Sequence, residues 1–380
     1  MQMKTVIFFI HLFQINRAFH IRHQCNPAVD GNWIPKTSNP SNPTTNPGNA
    51  ETNANYDCSM FPLASFLPTD MDYTKVMPFC ERLTDQTKVA AIPLKSSQLE
   101  WNPNPSCSSY NQFDAQEFAN VLAERTLYIM GDSTSEEQWI SLICLLGKHV
   151  VDIMQTKSAV EQMKSNAEED WTNFEYTSNK LQRKRGILHL RGGGKIVWIR
   201  TNTLVSEVSG VVEDQLVKIE RVSKDYIWTE LELPWTYLFS SDVKNTAKDV
   251  ILFNSGAHLN STAMAKKTAK NFLKWISIHF DGTVIYRKNV PGSQECQTLY
   301  KDQISSLNWN WKNFKEFDNI FVSMSKRFLP EMKLLDVREM SMARPDVHPG
   351  LVFGHVDCLH FCLPFGPVDV WNRLLYNMIK

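Results

Sequence analysis

Residues 126–146 read TLYIMGDSTSEEQWISLICLL. The run Thr126–Met130 has the apolar and aromatic composition of a short buried strand. Gly131–Asp132–Ser133 follows as a tight turn, which sets Ser133 just after the carboxyl end of that strand. The segment after the turn repeats apolar side chains at helical spacing, at Trp139, Leu142, Ile143 and Leu146. The stretch therefore predicts a strand–turn–helix unit with a serine in the turn.

The helix of this unit is predicted to begin near Thr134. Thr134 with Glu137, or Ser135 with Gln138, has the spacing of a capping box. The first N–H groups of a helix lack intrahelical partners, so those near Ser133 can point at an oxyanion. A lone Gly-Asp-Ser tripeptide is more often an ordinary turn that caps a helix. The tripeptide needs support from elsewhere in the chain before it indicates catalysis.

Farther along, strand-like and helical segments alternate. They are a strand at Val250–Phe253, a helix around Ala265–Ile276 and a strand at Thr283–Arg287. This alternation predicts an α/β fold with a mainly parallel sheet. In such sheets, functional groups collect at the carboxyl ends of the strands. Asn254 follows one of these strands, so it is a candidate side-chain donor to an oxyanion, although a strand-terminal Asn also commonly caps a turn.

Two short β-like runs, Ile187–Leu190 and Ile196–Ile199, flank Gly192–Gly193–Gly194. This arrangement predicts a hairpin. The glycines lack the spacing of a phosphate-binding loop, which argues against nucleotide binding.

The C-terminal part of the chain supplies partners for a serine nucleophile. Such a nucleophile needs a base, and the base needs an orienting group. Asp357 and His360 are three residues apart, so both side chains can lie on one side of a turn. Cys358, His360 and Cys362 also alternate, but no second Cys/His pair of finger spacing completes a tetrahedral zinc site, and no metal is expected.

Composition excludes some function classes and indicates a compartment. The 380 residues contain 40 Lys plus Arg and 40 Asp plus Glu, which gives no reason to expect a nucleic-acid partner. Lys4 precedes an apolar run from Val6 to Phe13, too short to span a bilayer. Residues 1–18 are therefore predicted to be a signal peptide or short signal anchor, and any membrane association is expected through this segment alone.

The cysteines and the polar segments divide the chain. Eight cysteines that follow a signal segment suggest up to four disulfides. The spacing of the cysteines does not determine how they pair. Residues 36–55 are dominated by Pro, Asn, Thr and Ser and are predicted to be a disordered linker. Residues 19–118 form a Cys-containing N-terminal module around this linker, and 119–380 form the catalytic domain. Asn260 begins an N-glycosylation sequon, a tripeptide that also occurs by chance.

Several motifs together resemble the trichome-birefringence-like family of plant polysaccharide O-acetyltransferases, within the PC-esterase group of GDSL/SGNH-like proteins. They are YIMGDSTSEEQWISLICLL (128–146), ILFNSGAH (251–258), RPDVHPG (344–350) and DCLHFCLPFGPVDVWNRLLY (357–376). CNPAVDGNWI (25–34) and WNPNPSCSSYNQFDAQEF (101–118) resemble the family's N-terminal module. The last of the catalytic motifs is long and specific.

The resemblance implies an SGNH-like three-layer α/β/α domain with Ser133 as nucleophile, His360 as general base and Asp357 as its partner. It implies an acetyl group moved from a donor of unknown identity onto a polysaccharide hydroxyl, in the Golgi lumen or after secretion, without a cofactor. The disulfides that it suggests are Cys25–Cys107, Cys58–Cys144, Cys80–Cys362 and Cys296–Cys358.

The chain also departs from the family pattern. Plant members carry Arg-Asn where this chain has Glu136–Glu137, and the family's His-Trp-Cys is His360–Phe361–Cys362. Two further functions stay open: an acetyl esterase, in which water replaces the sugar, and a glycan-binding protein without catalysis. Trp309 and Trp311 can stack on a sugar ring, although aromatic residues at this spacing more often serve packing.

Overall fold

The computed structural model describes residues 31–35, 99–104, 111–155, 185–204, 217–222, 227–232, 246–300, 310–352, 355–363 and 366–380. The predicted signal segment at 1–18 and the predicted linker at 36–55 lie outside these residues, as does Trp309. Within the described ranges, no helix combines the length and the apolar character that a bilayer span requires.

A mainly parallel sheet forms the centre of the fold. In spatial order its strands are β11 (Lys333–Leu335), β10 (Thr283–Arg287), β9 (Val250–Phe253), β3 (Thr126–Gly131), β6 (Lys195–Arg200), β5 (Arg185–Leu190) and β4 (Val150–Gln155). The first five run parallel to one another, whereas β5 pairs antiparallel with both β6 and β4. The α/β fold with a mainly parallel sheet is confirmed, and so is the hairpin around the three glycines, which joins β5 and β6.

Helices cover both faces of this sheet. They are α1 (Ala115–Val121), α2 (Ser133–Leu146), α3 (Thr262–His279), α4 (Gln294–Leu299), α5 (Phe314–Phe328), α6 (Arg338–Met342) and α7 (Pro367–Ile379). Side chains alternate across strand β3. Leu127 and Ile129 join an apolar cluster with α1, α2 and α7, whereas Tyr128 and Met130 join a second cluster with α3 and α5. The arrangement has the three layers of an SGNH-like domain.

The helix after β3 begins one residue earlier than predicted and has a different cap. Asp132 is the N-cap of α2, and its side chain accepts the backbone N–H of Thr134. The prediction of a capping box led by Thr134 or Ser135 is therefore wrong. Both residues already lie inside the first helical turn, because the strand ends at Gly131 and only Asp132 separates it from the helix.

In the part of the chain that the structure describes, three further pairs of strands form small antiparallel ribbons: β1 (Gly31–Pro35) with β2 (Leu99–Pro103), β7 (Val217–Val222) with β8 (Ile227–Glu232), and β12 (Gly350–Val352) with β13 (His355–Asp357). The first ribbon contacts α6 and the residues just after it. The indole Nε1 of Trp33 donates to the carbonyl of Met340 at 2.8 Å, and the Arg344 guanidinium lies 4.6 Å from the centre of a Trp33 ring.

One of the suggested disulfides, Cys296–Cys358, lies within the described residues and is present. It joins α4 to the segment 357–363, which we call the base loop. Cys144 and Cys362 are also disulfide-bonded. Their suggested partners, Cys58 and Cys80, lie outside the described residues, as do Cys25 and Cys107. The base loop is therefore covalently held at two of its seven positions.

Candidate active site

The turn between β3 and α2 presents Ser133. Gly131 has a φ of 156°, and a Cβ at this position would collide with the side chain of Ser135. Asp132 accepts both the N–H of Thr134, at 3.0 Å, and its hydroxyl, at 2.7 Å. Because Ser133 is the first residue of α2, its backbone N–H belongs to the turn that lacks intrahelical acceptors.

The base loop brings the predicted partners of Ser133 together with it. The Nε2 atom of His360 lies 2.7 Å from the Oγ atom of Ser133. The Nδ1 atom of the same ring lies 2.7 Å from Oδ2 of Asp357. Since a carboxylate can only accept, Nδ1 carries a hydrogen, and in the neutral ring Nε2 presents a lone pair to the serine hydroxyl. The three side chains form the hydrogen-bonded series that an acyl-transfer triad requires.

The pKa values of this pair diverge. Burial opposes the charge on both groups, but their mutual attraction outweighs it. The pKa of Asp357 is lowered to about 2 by His360 and by the N–H groups of Leu359 and His360, which its carboxylate accepts. The pKa of His360 is raised to about 9, against burial, chiefly by Asp357 and then by Glu137. Asp357 therefore stays ionised and stabilises a protonated His360.

The two acidic residues that replace the family's Arg-Asn have different surroundings. Glu136 is partly exposed and forms a 2.7 Å ion pair with Arg200. Glu137 is only 5% exposed, and its Oε1 accepts the backbone N–H of Phe361 at 3.1 Å. Burial raises the pKa of Glu137 to about 8; Asp357 adds to the rise, whereas His360 opposes it. Glu136 is thus a surface charge, and Glu137 belongs to the interior of the site.

Arg287, the last residue of β10, is buried directly behind the nucleophile turn. Its guanidinium donates to the carbonyl of Thr134 at 3.2 Å, to the Thr134 hydroxyl at 2.7 Å and to the Ser135 hydroxyl at 3.2 Å. Burial opposes the charge on Asp132, but the neighbouring His258 and Arg287 hold the pKa of Asp132 below its usual value. Arg287 was not predicted to be part of the site, because only its position at a strand end marked it.

Comparison with known proteins supports the resemblance. The sequence pattern that defines the PC-Esterase family, described as the GDSL/SGNH-like acyl-esterase family found in Pmr5 and Cas1p, matches residues 111–188 and 254–378, which is more than half of the chain. The first segment contains Ser133, and the second contains Asp357 and His360. The chain belongs to the PC-Esterase family.

Three relatives of this PC-Esterase member are identical to it at about a quarter of the aligned positions. Xyloglucan O-acetyltransferase 1 of Arabidopsis thaliana is 26% identical over 75% of this chain and 71% of its own length. Protein trichome birefringence-like 43 of the same plant is 23% identical over 80% of this chain and 82% of its own. Xyloglucan O-acetyltransferase 4 of Populus trichocarpa is 22% identical over 74% of this chain and 71% of its own length. The names of two of these relatives describe the O-acetylation of xyloglucan.

One predicted feature of the PC-Esterase site needs correction. Asn254 is buried, and its Nδ2 donates to the carbonyl of Arg287 at 3.1 Å and to Oδ1 of Asn289 at 3.0 Å. A carbonyl can only accept, so the amide nitrogen must face Arg287. Both amide hydrogens are used inside the fold, and none remains for an oxyanion. The role predicted for Asn254 is therefore wrong in this arrangement: it ties the end of β9 to the end of β10.

The bonding of Cys358, His360 and Cys362 also argues against the zinc site that these residues could otherwise form. Cys358 and Cys362 are both in disulfides, so neither offers a thiolate. His360 is already hydrogen-bonded through both ring nitrogens to Ser133 and Asp357.

The sequon residue Asn260 is exposed, and the hydroxyl of Ser261 in the same tripeptide caps α3.

A groove of about 430 Å³ lies beside the base loop. Its lining includes an indole and several polar side chains: Trp311, Ser293, Glu295, Gln297, Lys312 and His348. The groove is connected to the base loop by backbone, because the N–H of Ser293 donates to the carbonyl of Cys358 at 2.8 Å. Trp311 packs directly against Gly292, where a Cβ would overlap the indole.

His348 joins the groove to His360. Its Nδ1 lies 2.8 Å from the carbonyl oxygen of His360, and its ring lies 4.7 Å from that of Phe361. Because the carbonyl only accepts, Nδ1 carries the hydrogen and Nε2 is left as an acceptor. Burial lowers the pKa of His348 to about 4, so the ring is neutral at physiological pH. A neutral acceptor on a polar groove suits a hydroxyl donor.

Proposed function

We propose that this protein is an O-acetyltransferase that moves an acetyl group from a donor to a polysaccharide hydroxyl through an acetyl-Ser133 intermediate. The observation that carries the proposal is the hydrogen-bonded series from Ser133 Oγ through His360 to Asp357. The choice of a polysaccharide acceptor is supported by relatives that are named xyloglucan O-acetyltransferases.

In the first half-reaction, Ser133 Oγ attacks the acetyl carbonyl of the donor while His360 Nε2 takes the hydroxyl proton. The carbonyl π electrons move onto oxygen and give a tetrahedral oxyanion. When this intermediate collapses, the bond to the leaving group breaks and His360 returns the proton to that group. The products are acetyl-Ser133 and the deacylated donor.

In the second half-reaction, a sugar hydroxyl attacks the acetyl-serine carbonyl and His360 takes its proton. Collapse of the second tetrahedral intermediate breaks the bond to Oγ, and the proton passes from His360 to Ser133. The acetylated sugar leaves and the free enzyme is restored. Asp357 remains ionised throughout, consistent with its pKa of about 2, and stabilises the imidazolium formed in each half.

We assign the stabilisation of the oxyanion in both intermediates to the first turn of α2. The backbone N–H of Ser133 lies at the positive end of a 14-residue helix, where a developing negative charge is stabilised. Asn254 is removed from this role by its own hydrogen bonds. We assign the acceptor to the groove beside the base loop. Neutral His348 and the indole of Trp311 support this assignment, since sugars present hydroxyls at their edges and C–H groups on their faces.

The reaction is tested with purified protein, a chromogenic acetyl ester and a panel of cell-wall oligosaccharides, with products identified by mass spectrometry. The variant Ser133→Ala removes the nucleophile. Ser277→Ala, an exposed serine on α3, is the matched control. The proposal expects acetylated sugar from the native protein and from Ser277→Ala, and none from Ser133→Ala.

Other products would support other functions. Release of free acetate alone, dependent on Ser133, would identify an esterase. Binding of oligosaccharides without any product that depends on Ser133 would favour a non-catalytic glycan-binding protein and would contradict the triad assignment.

A location in the secretory pathway is part of the same proposal. It is supported by the Cys296–Cys358 disulfide, because such bonds persist in oxidising compartments. Expression with and without a glycosidase treatment tests it. A loss of apparent mass on treatment, absent in Asn260→Gln, is expected; retention of the unmodified protein in the cytosol would contradict it.

A further inference from the structure

Glu137 connects the nucleophile helix to the base loop. It lies four residues after Ser133 on α2, so the two side chains share one face of the helix. Ser133 contacts the ring of His360, and Glu137 accepts the N–H of Phe361, the next residue. Two contacts one helical turn apart on α2 therefore reach two consecutive residues of the base loop.

The environment of the Glu137 carboxyl favours its neutral form. Oε1 has one donor, the Phe361 N–H, but buried Oε2 has no hydrogen-bond partner among the described residues. A buried carboxylate oxygen without a donor is costly, and a proton on that oxygen removes the charge. We propose that Glu137 is a positioning residue for the catalytic base and that its carboxyl works in the protonated form. The inference rests on the function proposed above.

The charged groups around Glu137 explain why its protonation state matters. His360 and Asp357 face it from the base loop, and Arg287 faces it from β10. An ionised Glu137 adds a second negative charge beside His360 and raises the pKa of the base further. Such a charge would keep His360 protonated and unable to accept the serine proton. With Glu137 neutral, the anions that act on the ring are Asp357 and, more weakly, Asp132.

Its pKa of about 8 is consistent with a neutral Glu137 at physiological pH. His360 acts as a base only when it has lost its own proton, and a neutral Glu137 makes that loss easier than an ionised one. Gln has nearly the same shape as a protonated Glu. Its amide oxygen can accept the Phe361 N–H, and it cannot ionise.

Three variants test the inference: Glu137→Ala, Glu137→Gln and the matched control Glu136→Gln, whose carboxylate pairs with Arg200 instead. Hydrolysis of a chromogenic acetyl ester is measured across pH, with kcat and KM determined separately. A misplacement of about 1 Å costs roughly 100-fold in rate. We therefore expect Glu137→Ala to lose roughly 100-fold in kcat with little change in KM, and Glu137→Gln to recover most of that loss.

The pH profile separates positioning from a merely structural role. Because Gln reproduces a neutral Glu137, the acid limb of kcat/KM is expected to coincide in the native protein, Glu137→Gln and Glu136→Gln below about pH 8. Above that pH, where Glu137 ionises, the rates of the native protein and of Glu136→Gln are expected to level off, whereas the rate of Glu137→Gln continues to rise. A folded Glu137→Ala protein with native kcat would overturn the inference. So would a folded Glu137→Gln protein as slow as Glu137→Ala, because the ionised carboxylate would then be the working form.

A measurement without turnover keeps the inference separate from the proposed function. The imidazole of His360 is titrated by NMR in the Ser133→Ala background, with Glu or Gln at position 137 and with the resonance assigned through His360→Gln. Below about pH 8 the titration curve of His360 is expected to be the same with Glu and with Gln, because both side chains are neutral there. A curve that is already displaced to lower pH in the Gln variant at neutral pH would show an ionised Glu137 and would overturn the inference. Coinciding curves, together with no acetyl transfer by the protein that keeps Ser133, would overturn only the proposed function.

Discussion

The carboxylate of Asp357 holds His360 at two points. Oδ2 bonds the ring Nδ1 at 2.7 Å, and Oδ1 accepts the backbone N–H of the same residue at 3.0 Å. The three-residue spacing allows both contacts because the chain turns between the two residues. One side chain thereby fixes both the position of the His360 backbone and the tautomer of its ring.

Replacing Asp357 by Asn is expected to abolish most activity with little loss of structure. The amide keeps an oxygen for the backbone N–H but presents its nitrogen to Nδ1, so the ring must carry its hydrogen on Nε2 and cannot accept the serine proton. A decrease in kcat on the order of 10⁴-fold is expected for such a change. Acetyl-ester hydrolysis measures it, with Asp336→Asn, a residue paired with Lys288, as control. Native activity in Asp357→Asn would exclude Asp357 as the orienting group.

The rate of ester hydrolysis is expected to rise with pH, and the midpoint of this rise is expected to lie above the usual histidine pKa of about 6.5. Burial opposes protonation of His360, but Asp357 raises the pKa of the ring to about 9, and the base must be neutral to act. The same raised pKa means that His360 contributes stability below about pH 6.5, which is lost as the pH rises through about 9. The dependence of kcat/KM on pH measures this midpoint. A midpoint below about 6.5 would contradict the attraction between Asp357 and His360.

Arg287→Met is expected to destabilise the protein by about 3–5 kcal/mol, because it removes a buried cation and leaves Asp132 beside it without that compensation. The Met side chain still packs against Trp371, over which the guanidinium lies at 4.4 Å. Urea unfolding measures the change. Arg327→Met, at an exposed arginine on α5, serves as control and is expected to alter stability far less. Equal effects of the two substitutions would show that Arg287 has no special electrostatic role.

Trp311→Ala is expected to change how acetyl-Ser133 is partitioned. If the groove holds the acceptor sugar, loss of the indole weakens that binding, and water captures a larger share of the acetyl groups. The ratio of acetylated oligosaccharide to free acetate should therefore fall by several-fold, about the effect of 1 kcal/mol of lost contact. Trp275→Ala, on α3, is the matched control. An unchanged ratio would place the acceptor elsewhere.

The sequence predicted the elements whose patterns are local. The strand and helix around Ser133, the strands at Val250–Phe253 and Thr283–Arg287 and the Asp357–His360 turn each lie within a short window of residues. Hydrophobic periodicity and spacing suffice for such segments. The cap of α2 was missed because Asp132, Thr134 and Ser135 are all good caps, and the end of β3 decided among them.

The remaining parts of the site depend on residues that are distant in sequence. Asn254 was assigned to an oxyanion because its partners, Arg287 and Asn289, lie on the neighbouring strand and beyond it, more than 30 residues away. Glu137 was noticed only as a capping-box candidate and as a departure from the family pattern, since nothing local shows that it is buried against Phe361, which is 224 residues away in the chain. Burial of charged side chains is set by tertiary packing, which short-range patterns do not report.

The most direct test of the account is to find the acetyl group on Ser133. The protein is mixed with an isotope-labelled acetyl donor without acceptor, quenched within one turnover and mapped by peptide mass spectrometry. The account predicts label on the peptide that contains Ser133, none in Ser133→Ala, and transfer of that label to an oligosaccharide added before the quench. Label that reaches the sugar equally well in Ser133→Ala would contradict it.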